Sequence, residues 1–278
     1  MVMGTVQIGI PYGRKAHLGL CSVQEAEQIL DAGWSYGIRA FDTAVGYGES
    51  VTRLSNWLHS NKRLEQSHLI TKIPVGDCTS LAAIKNAIEP FEGALSITVL
   101  THGFITEEYW NKFSDICTSL RITPGQSVYS AEEIRHCGKI GVTKVQAPGN
   151  VLDLGQIQAA TDCGIELDVR SLFLQGTLLA PSLEAEMRVP GLRGICELIG
   201  QMADSYGVSK VSLLINAVLA NVSPAMRLVI GADNPSEIAD WVSALDEDKS
   251  HGRNLTQQIR EKFGSCISQA MVDPRMWK

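Results

Sequence analysis

MVMGTVQIGIPYGRKAHLG, residues 1–19, separates two parallel α/β folds. Met3–Ile8 reads as a strand that opens the chain. A doubly wound sheet normally follows its first strand with a G-x-G-x-x-G turn, which receives a dinucleotide pyrophosphate. IPYGRKAHLG, residues 10–19, lacks that spacing. The open sheet therefore loses its most diagnostic feature, and a closed barrel becomes the better reading.

Working outward, short apolar runs alternate with amphipathic ones. Strands are expected at Arg39–Asp42, His68–Ile73, Ser96–Leu100, Lys144–Ala147, Ile165–Ser171 and Leu228–Gly231. In the fifth unit, Ile122 leads into a Gly125–Tyr129 turn. Helices are expected at Ser22–Gly37, Ser50–Leu58, Leu81–Phe91, Glu107–Leu120, Ala131–Cys137 and Asp153–Cys163. Further ones follow at Leu192–Tyr206, Ser209–Ala220, Pro235–Leu245 and Asn254–Phe263. In the first helix Ser22 can cap, and Ala26, Ile29, Leu30 and Trp34 share a face. Ala180–Arg193 reads as the longest loop, bounded by Pro181 and Pro190, and as a lid over the site. Eight strand–helix units in 278 residues match the size of an α/β (β/α)8 TIM barrel. No Pro-, Gly- or Ser-rich linker divides them, so one domain spanning residues 1–278 is expected.

Composition removes other classes. Twenty-four Lys+Arg against thirty Asp+Glu give a formal charge of −6, and no basic cluster offers a phosphate stripe for nucleic acid. No apolar run reaches the length of a membrane span, and the first residues lack the pattern of a secretory signal. Seven cysteines without a CxxC spacing argue against a disulfide framework or a zinc site, and for reduced, buried or half-buried thiols in a cytoplasmic protein.

In a barrel the chemistry lies at the carboxyl ends of the strands. FDTAVGYGES (41–50) brings Asp42 and Tyr47 there, ITKIP (70–74) brings Lys72, and VLTH (99–102) brings His102. A lysine buried at a barrel mouth needs a counter-charge, which Asp42 on the neighbouring strand supplies. An ammonium beside a phenol favours the phenolate, so Tyr47 can exchange a proton with a carbonyl oxygen. His102 can donate a hydrogen bond to the same oxygen. This is apparatus for carbonyl reduction, with hydride arriving from elsewhere and no metal ligand set in view.

With these residues the sequence resembles the aldo/keto reductase superfamily. The resemblance runs from GTVQIG (4–9) to VIGADNP (229–235). It rests on FDTAVGYGES, ITKIP, VLTH, VQAPGN (145–150), VRSLFLQG (169–176) and VIGA (229–232) occurring in order, one per strand end. The subgroup it is most similar to is bacterial and associated with carbohydrates, which implies a small carbonyl or alcohol substrate of sugar-like type. The resemblance implies that Asp42, Tyr47, Lys72 and His102 form the catalytic tetrad. It implies that Ser127 and Gln146 hold the nicotinamide carboxamide, that Thr5 and Asp42 border the ribose, and that Arg170 lies against the nicotinamide ring. Ser171, Leu172, Gln175 and Gly176 would cover the pyrophosphate. Gly231, Ala232, Asp233, Asn234 and Glu237 would receive the adenosine phosphate end.

Three positions depart from that pattern. Val128 stands where many relatives have an asparagine. Arg170 replaces an aromatic residue. ADNPSEIADW (232–241) lacks the Lys or Arg expected to pair a 2′-phosphate, and Trp241 replaces an asparagine that touches adenine. Family grounds imply NADPH, with NADH the rival. A phosphate site would need a basic residue from another loop, Arg188 or Arg193 being the candidates. Two other functions use the same barrel: a cofactor-binding regulatory subunit, and a proton-transfer isomerase or lyase that keeps Tyr47 and Lys72. Phe104, Tyr109, Trp110 and Tyr129 are candidate pocket aromatics.

Overall fold

The computed structural model describes residues 1–222 and 226–277. Eight parallel strands close into a barrel in chain order: β1 (Val2–Gly4), β2 (Ala40–Asp42), β3 (His68–Ile73), β4 (Ser96–Thr101), β5 (Thr123–Ser127), β6 (Lys144–Pro148), β7 (Glu166–Arg170) and β8 (Met226–Gly231). β1 and β8 complete the ring in the register Val2↔Val229, Met3↔Ile230 and Gly4↔Gly231. The connections carry α1 (Val23–Ser35), α2 (Ser50–Ser60), α3 (Leu81–Ile88), α4 (Glu107–Ser119), α5 (Ala131–Lys139) and α6 (Gly155–Cys163). Three helices, α7 (Ser182–Arg188), α8 (Arg193–Tyr206) and α9 (Lys210–Leu219), fill the long connection from β7 to β8. α10 (Pro235–Leu245), α11 (Lys249–Phe263) and the short α12 (Gln269–Val272) follow. This is the (β/α)8 barrel that the alternation predicts.

Period-two alternation decides what faces inward. Phe41, Leu69, Ile73, Val99, Val145, Leu167 and Val169 belong to the large apolar layer between sheet and helices. Their alternate neighbours Ala40, Asp42, Ile70, Lys72, Lys144, Gln146, Asp168 and Arg170 therefore point into the barrel. Val2, Ala40, Ile70, Leu100 and Val229 form an apolar plug there. The other side of the interior is polar. Asp168 is fully buried and accepts from Arg227 Nε at 2.8 Å, Arg227 Nη2 at 3.0 Å and Lys144 Nζ at 3.4 Å. A second apolar cluster, including Leu174, Leu192, Ile199, Leu213 and Ile259, joins the connection after β7 to α8, α9 and α11.

Four local readings change. β1 ends at Gly4, Thr5 N–H makes the last ladder bond to β2 at Asp42 O (2.9 Å), and Val6–Ile8 then form a single 3-10 turn. TPGQS (123–127) is a strand rather than the approach to a turn. Its glycine serves packing: a Cβ at Gly125 would lie 2.6 Å from Leu100 Cδ2 and 2.7 Å from Lys144 O. Ala180–Arg193 contains α7, anchored by buried Ala185, Val189 and Leu192. The helix expected at Asn254 begins at Lys249, capped by Asp248. All seven cysteines are unpaired, but Cys163 and Cys266 are exposed rather than buried. Burial pushes Cys117 and Cys137 up to about 12, far from thiolate reactivity. Among the described residues, no helix is long and apolar enough to cross a membrane.

Candidate active site

Asp42 ends β2, Lys72 lies one residue before the end of β3, and His102 directly follows β4. Lys72 is 1% exposed and Asp42 4%. Lys72 Nζ donates to Asp42 Oδ1 at 2.6 Å, Oδ2 at 2.7 Å and Thr43 O at 3.1 Å. A buried ammonium without partners is costly by several kcal/mol, so this bidentate contact is what allows the lysine to remain charged. Burial lowers the Lys72 pKa, but Asp42 and Tyr47 outweigh it and hold the ammonium above the usual lysine value. Gln146 Nε2 donates to Asp42 Oδ2 at 2.7 Å and fixes the carboxylate from the far side of the barrel.

Tyr47 sits on the turn between β2 and α2. Its N–H bonds Ala44 O, and its own carbonyl accepts from Ser50 N, both at 3.0 Å. This turn presses against the turn after β1, where Glu49 N donates to Gly9 O at 3.1 Å. A Cβ at Gly9 would come within 1.9 Å of Tyr47 O, so only glycine lets the two turns meet. Ser50 Oγ donates to Thr5 O at 2.9 Å and lies 2.7 Å from Thr5 Oγ1; Thr5 Oγ1 donates to Asp42 O at 2.8 Å. Thr5 thus ties β1 to both functional turns. The Tyr47 ring meets His102 edge-on with centroids 6.2 Å apart, and Lys72 Nζ lies 5.3 Å from the Tyr47 centroid. Burial, then Lys72 and Arg170, lower the His102 pKa below its ordinary value. The imidazole is neutral at pH 7.

These four side chains line one cleft of about 440 Å³. Ser127, at the end of β5, shares it. Ser127 Oγ and Gln146 Oε1 are buried without a hydrogen-bond partner; Gln146, unlike Ser127, does not itself border the cleft. An orphaned hydroxyl at the cleft and an orphaned amide oxygen on the residue that holds Asp42 match an incoming amide, which offers both a donor and an acceptor. Val128 is buried outward, and its carbonyl accepts from Arg170 Nη2 at 3.2 Å. The Arg170 guanidinium stacks 4.4 Å from the Tyr129 centroid, and Arg275 stacks on the same ring at 3.4 Å. Arg275 is neutralised by Asp273, whereas no ion pair to a carboxylate forms at Arg170 among the described residues.

The cleft continues along Ser171, Leu172, Gln175 and Gly176. Ser171, Leu174 and Gln175 have φ of 62°, 47° and 55°, a strained left-handed run for non-glycine residues. Buried Leu172 and Leu174 hold it down. At the far end lie Gly231, Asp233 and Glu237. Ala232 and Asn234 do not border the cleft: Ala232 is buried in the outer layer, and Asn234 caps α10 through Ser236 N and Glu237 N. Trp241 reaches the cleft from the core.

Several neighbours were not anticipated. Tyr12, Arg14 and Lys15, from the connection after β1, border the cleft, as does Phe173. Burial, reinforced by Tyr47, raises the Tyr12 pKa, so its hydroxyl remains a donor. Lys15 Nζ reaches Glu237 Oε1 at 2.8 Å and Asp233 Oδ2 at 3.4 Å. Arg188 instead bonds Gln175 Oε1 at 3.0 Å, and exposed Arg193 pairs with Glu197. Neither of those arginines borders the cleft. Phe104 packs on His136, Trp110 on Phe113, and Tyr109 is exposed; only Tyr129 of the four candidate aromatics lines the site. The signal for the missed residues was available: a tyrosine and two cations between the first strand and first helix of a barrel must lie on its functional face.

No protein-family model and no curated protein sequence matches the chain. Solved structures do. The glycerol dehydrogenase of Gluconobacter oxydans superposes with a TM-score of 0.73 at 14% identity, over 96% of this chain and 93% of that one. The holo form of an aldo-keto reductase from Bacillus halodurans gives 0.70 at 18% identity, over 92% and 91%. A putative aldo-keto reductase from Pseudomonas aeruginosa gives 0.62 at 17%, over 88% and 90%. The chain has the aldo-keto reductase fold.

Proposed function

We propose that this protein is a nicotinamide-dependent aldo-keto reductase that interconverts a small aldehyde or ketone and its alcohol. The observation that carries this reading is the buried Lys72–Asp42 pair beside Tyr47 and His102 in a single cleft. The cofactor fits by the hydrogen-bonding atoms that remain: the Ser127 hydroxyl, which can donate or accept, and Gln146 Oε1, which accepts, have no partner of their own and suit the carboxamide. A nicotinamide dinucleotide bound there supplies hydride to the carbonyl carbon. Tyr47 gives its hydroxyl proton to the carbonyl oxygen in reduction and takes one from the alcohol in oxidation. Lys72, kept charged by Asp42, stabilises negative charge as it develops on the Tyr47 oxygen. Neutral His102 donates an N–H to the same carbonyl oxygen. The glycerol dehydrogenase among the structural neighbours is named for a polyol, and a sugar-like carbonyl is the substrate class proposed here.

Tyr47→Phe tests the assignment. Turnover should fall by at least about 10²-fold while the dissociation constant for the reduced cofactor stays within about threefold. Near-normal turnover in Tyr47→Phe would remove the tyrosine from the mechanism and the reductase reading with it.

A further inference from the structure

We propose that Lys15, Asp233 and Glu237 form a selector for a free ribose diol, making NADH the cofactor and excluding a 2′-phosphate. This rests on the reductase reading and specifies its cofactor. Three observations carry it.

The N–H groups that a phosphate would use at the start of α10 are already spent. Asn234 Oδ1 accepts from Ser236 N at 3.1 Å and Glu237 N at 3.2 Å, and Glu237 Oε2 accepts from Asp233 N at 2.9 Å. A helix N-terminus closed by its own side chains offers an anion little.

The charge is also of the wrong sign. Two carboxylates share one ammonium, and no basic residue occurs between Arg227 and Lys249 in the sequence. The nearest other cation, Arg14, is directed to α7 by Glu184 at 3.4 Å. Burial first, and then the Glu237 charge, raise the Asp233 pKa against the opposing pull of Lys15 and Arg14. A phosphate monoester would add roughly another −1.5 to −2.

Acceptors, by contrast, are available. Asp233 borders the cleft, and among the described residues no group bonds its Oδ1. A carboxylate with a free oxygen is the natural partner of a ribose hydroxyl. Lys15 fixes this pair from across the groove. Its loop is held at the other side by the bond from Arg14 N to Gln175 O at 3.0 Å. Lys15 thus acts as a strap that orients the two carboxylates rather than as a phosphate ligand.

Tryptophan fluorescence of the full chain, titrated separately with NADH and NADPH, tests the selector. NADH should bind at least about tenfold more tightly. The double variant Asp233→Asn/Glu237→Gln removes the charge and keeps amides that can still bond the backbone, and circular dichroism checks its fold. In that variant the preference should shrink at least about fivefold, mainly through tighter NADPH binding. Equal or tighter NADPH binding by the wild type overturns the selector and leaves the reductase reading intact. An unchanged preference in the folded double variant also overturns it. If neither dinucleotide binds at millimolar concentration, the reductase reading itself fails.

Discussion

The difference between Lys72 and His102 is one of partners. Lys72 is sealed from solvent, whereas His102 stands exposed at the mouth of the same cleft. Lys72 meets a carboxylate with both oxygens, and so keeps its proton. His102 loses part of its hydration in the cleft and faces two cations, Lys72 and Arg170, so its pKa lies below the ordinary 6.5. A sign follows for stability. Above pH 6.5 the imidazole is neutral in folded and unfolded chains alike. As pH falls from there to the lower folded value, the unfolded chain binds a proton that the folded one does not, so stability decreases through that window. His102→Gln should flatten this part of the stability curve, as measured by urea unfolding between about pH 7.5 and 5. An identical slope in the variant would show that His102 does not titrate differently on folding. The tetrad positions were legible because a strand end fixes where its next residues go. Lys15 and Tyr12 were not, because a loop without periodicity does not announce which neighbouring loop it will cross.

Elements were legible where side-chain period and capping agree. Ser22 and Glu25 form a capping box at α1, Ser130 and Glu133 one at α5, and both helices begin where the sequence indicates. The fifth strand was obscured because Pro124 and Gly125 carry a turn signature, while packing against Leu100 and Lys144 demands a residue without a side chain. α7 was obscured by flanking prolines and by its length, a helix of only seven residues. At α10 the cap has a measurable share in the fold. Asn234 Oδ1 accepts two backbone N–H groups, and Nδ2 donates to Glu237 Oε1 at 2.9 Å. Asn234→Ala should lower unfolding free energy by about 1 kcal/mol, with Asn234→Ser close to wild type. Chemical denaturation of the three proteins gives the comparison; equal midpoints for Asn234→Ala and wild type would show that water replaces the cap without cost.

Across the whole molecule, the barrel divides its polar groups between two ends with different tasks. At the mouth, Ser127 keeps an unspent hydroxyl on the cleft, and Gln146, which holds Asp42, keeps an unspent amide oxygen. Deeper inside, two residues before Arg170 on the same inward face of β7, Asp168 binds Arg227 and Lys144 and completes its valences within the protein. Arg227 stands on β8 and Lys144 on β6, so Asp168 links three adjacent strands near the closure of the sheet. Burial pulls the Arg227 pKa down, but Asp168 holds it above the ordinary value, so removal of the carboxylate strands Arg227, while Lys144 keeps Glu166 Oε2 at 3.2 Å. Because Arg227 is partly solvated and Lys144 keeps Glu166, Asp168→Ala should cost about 2–3 kcal/mol, below the range for a wholly buried pair. The penalty belongs to the stranded Arg227 charge rather than to the lost contact. Adding Arg227→Met and Lys144→Met to Asp168→Ala should accordingly recover a substantial part of the loss, since an apolar trio needs no counter-ion. Urea unfolding of the single and triple variants measures both quantities. A triple variant as unstable as, or less stable than, the single one would mean that the network holds the strands by its specific bonds, and that charge compensation is not what Asp168 provides.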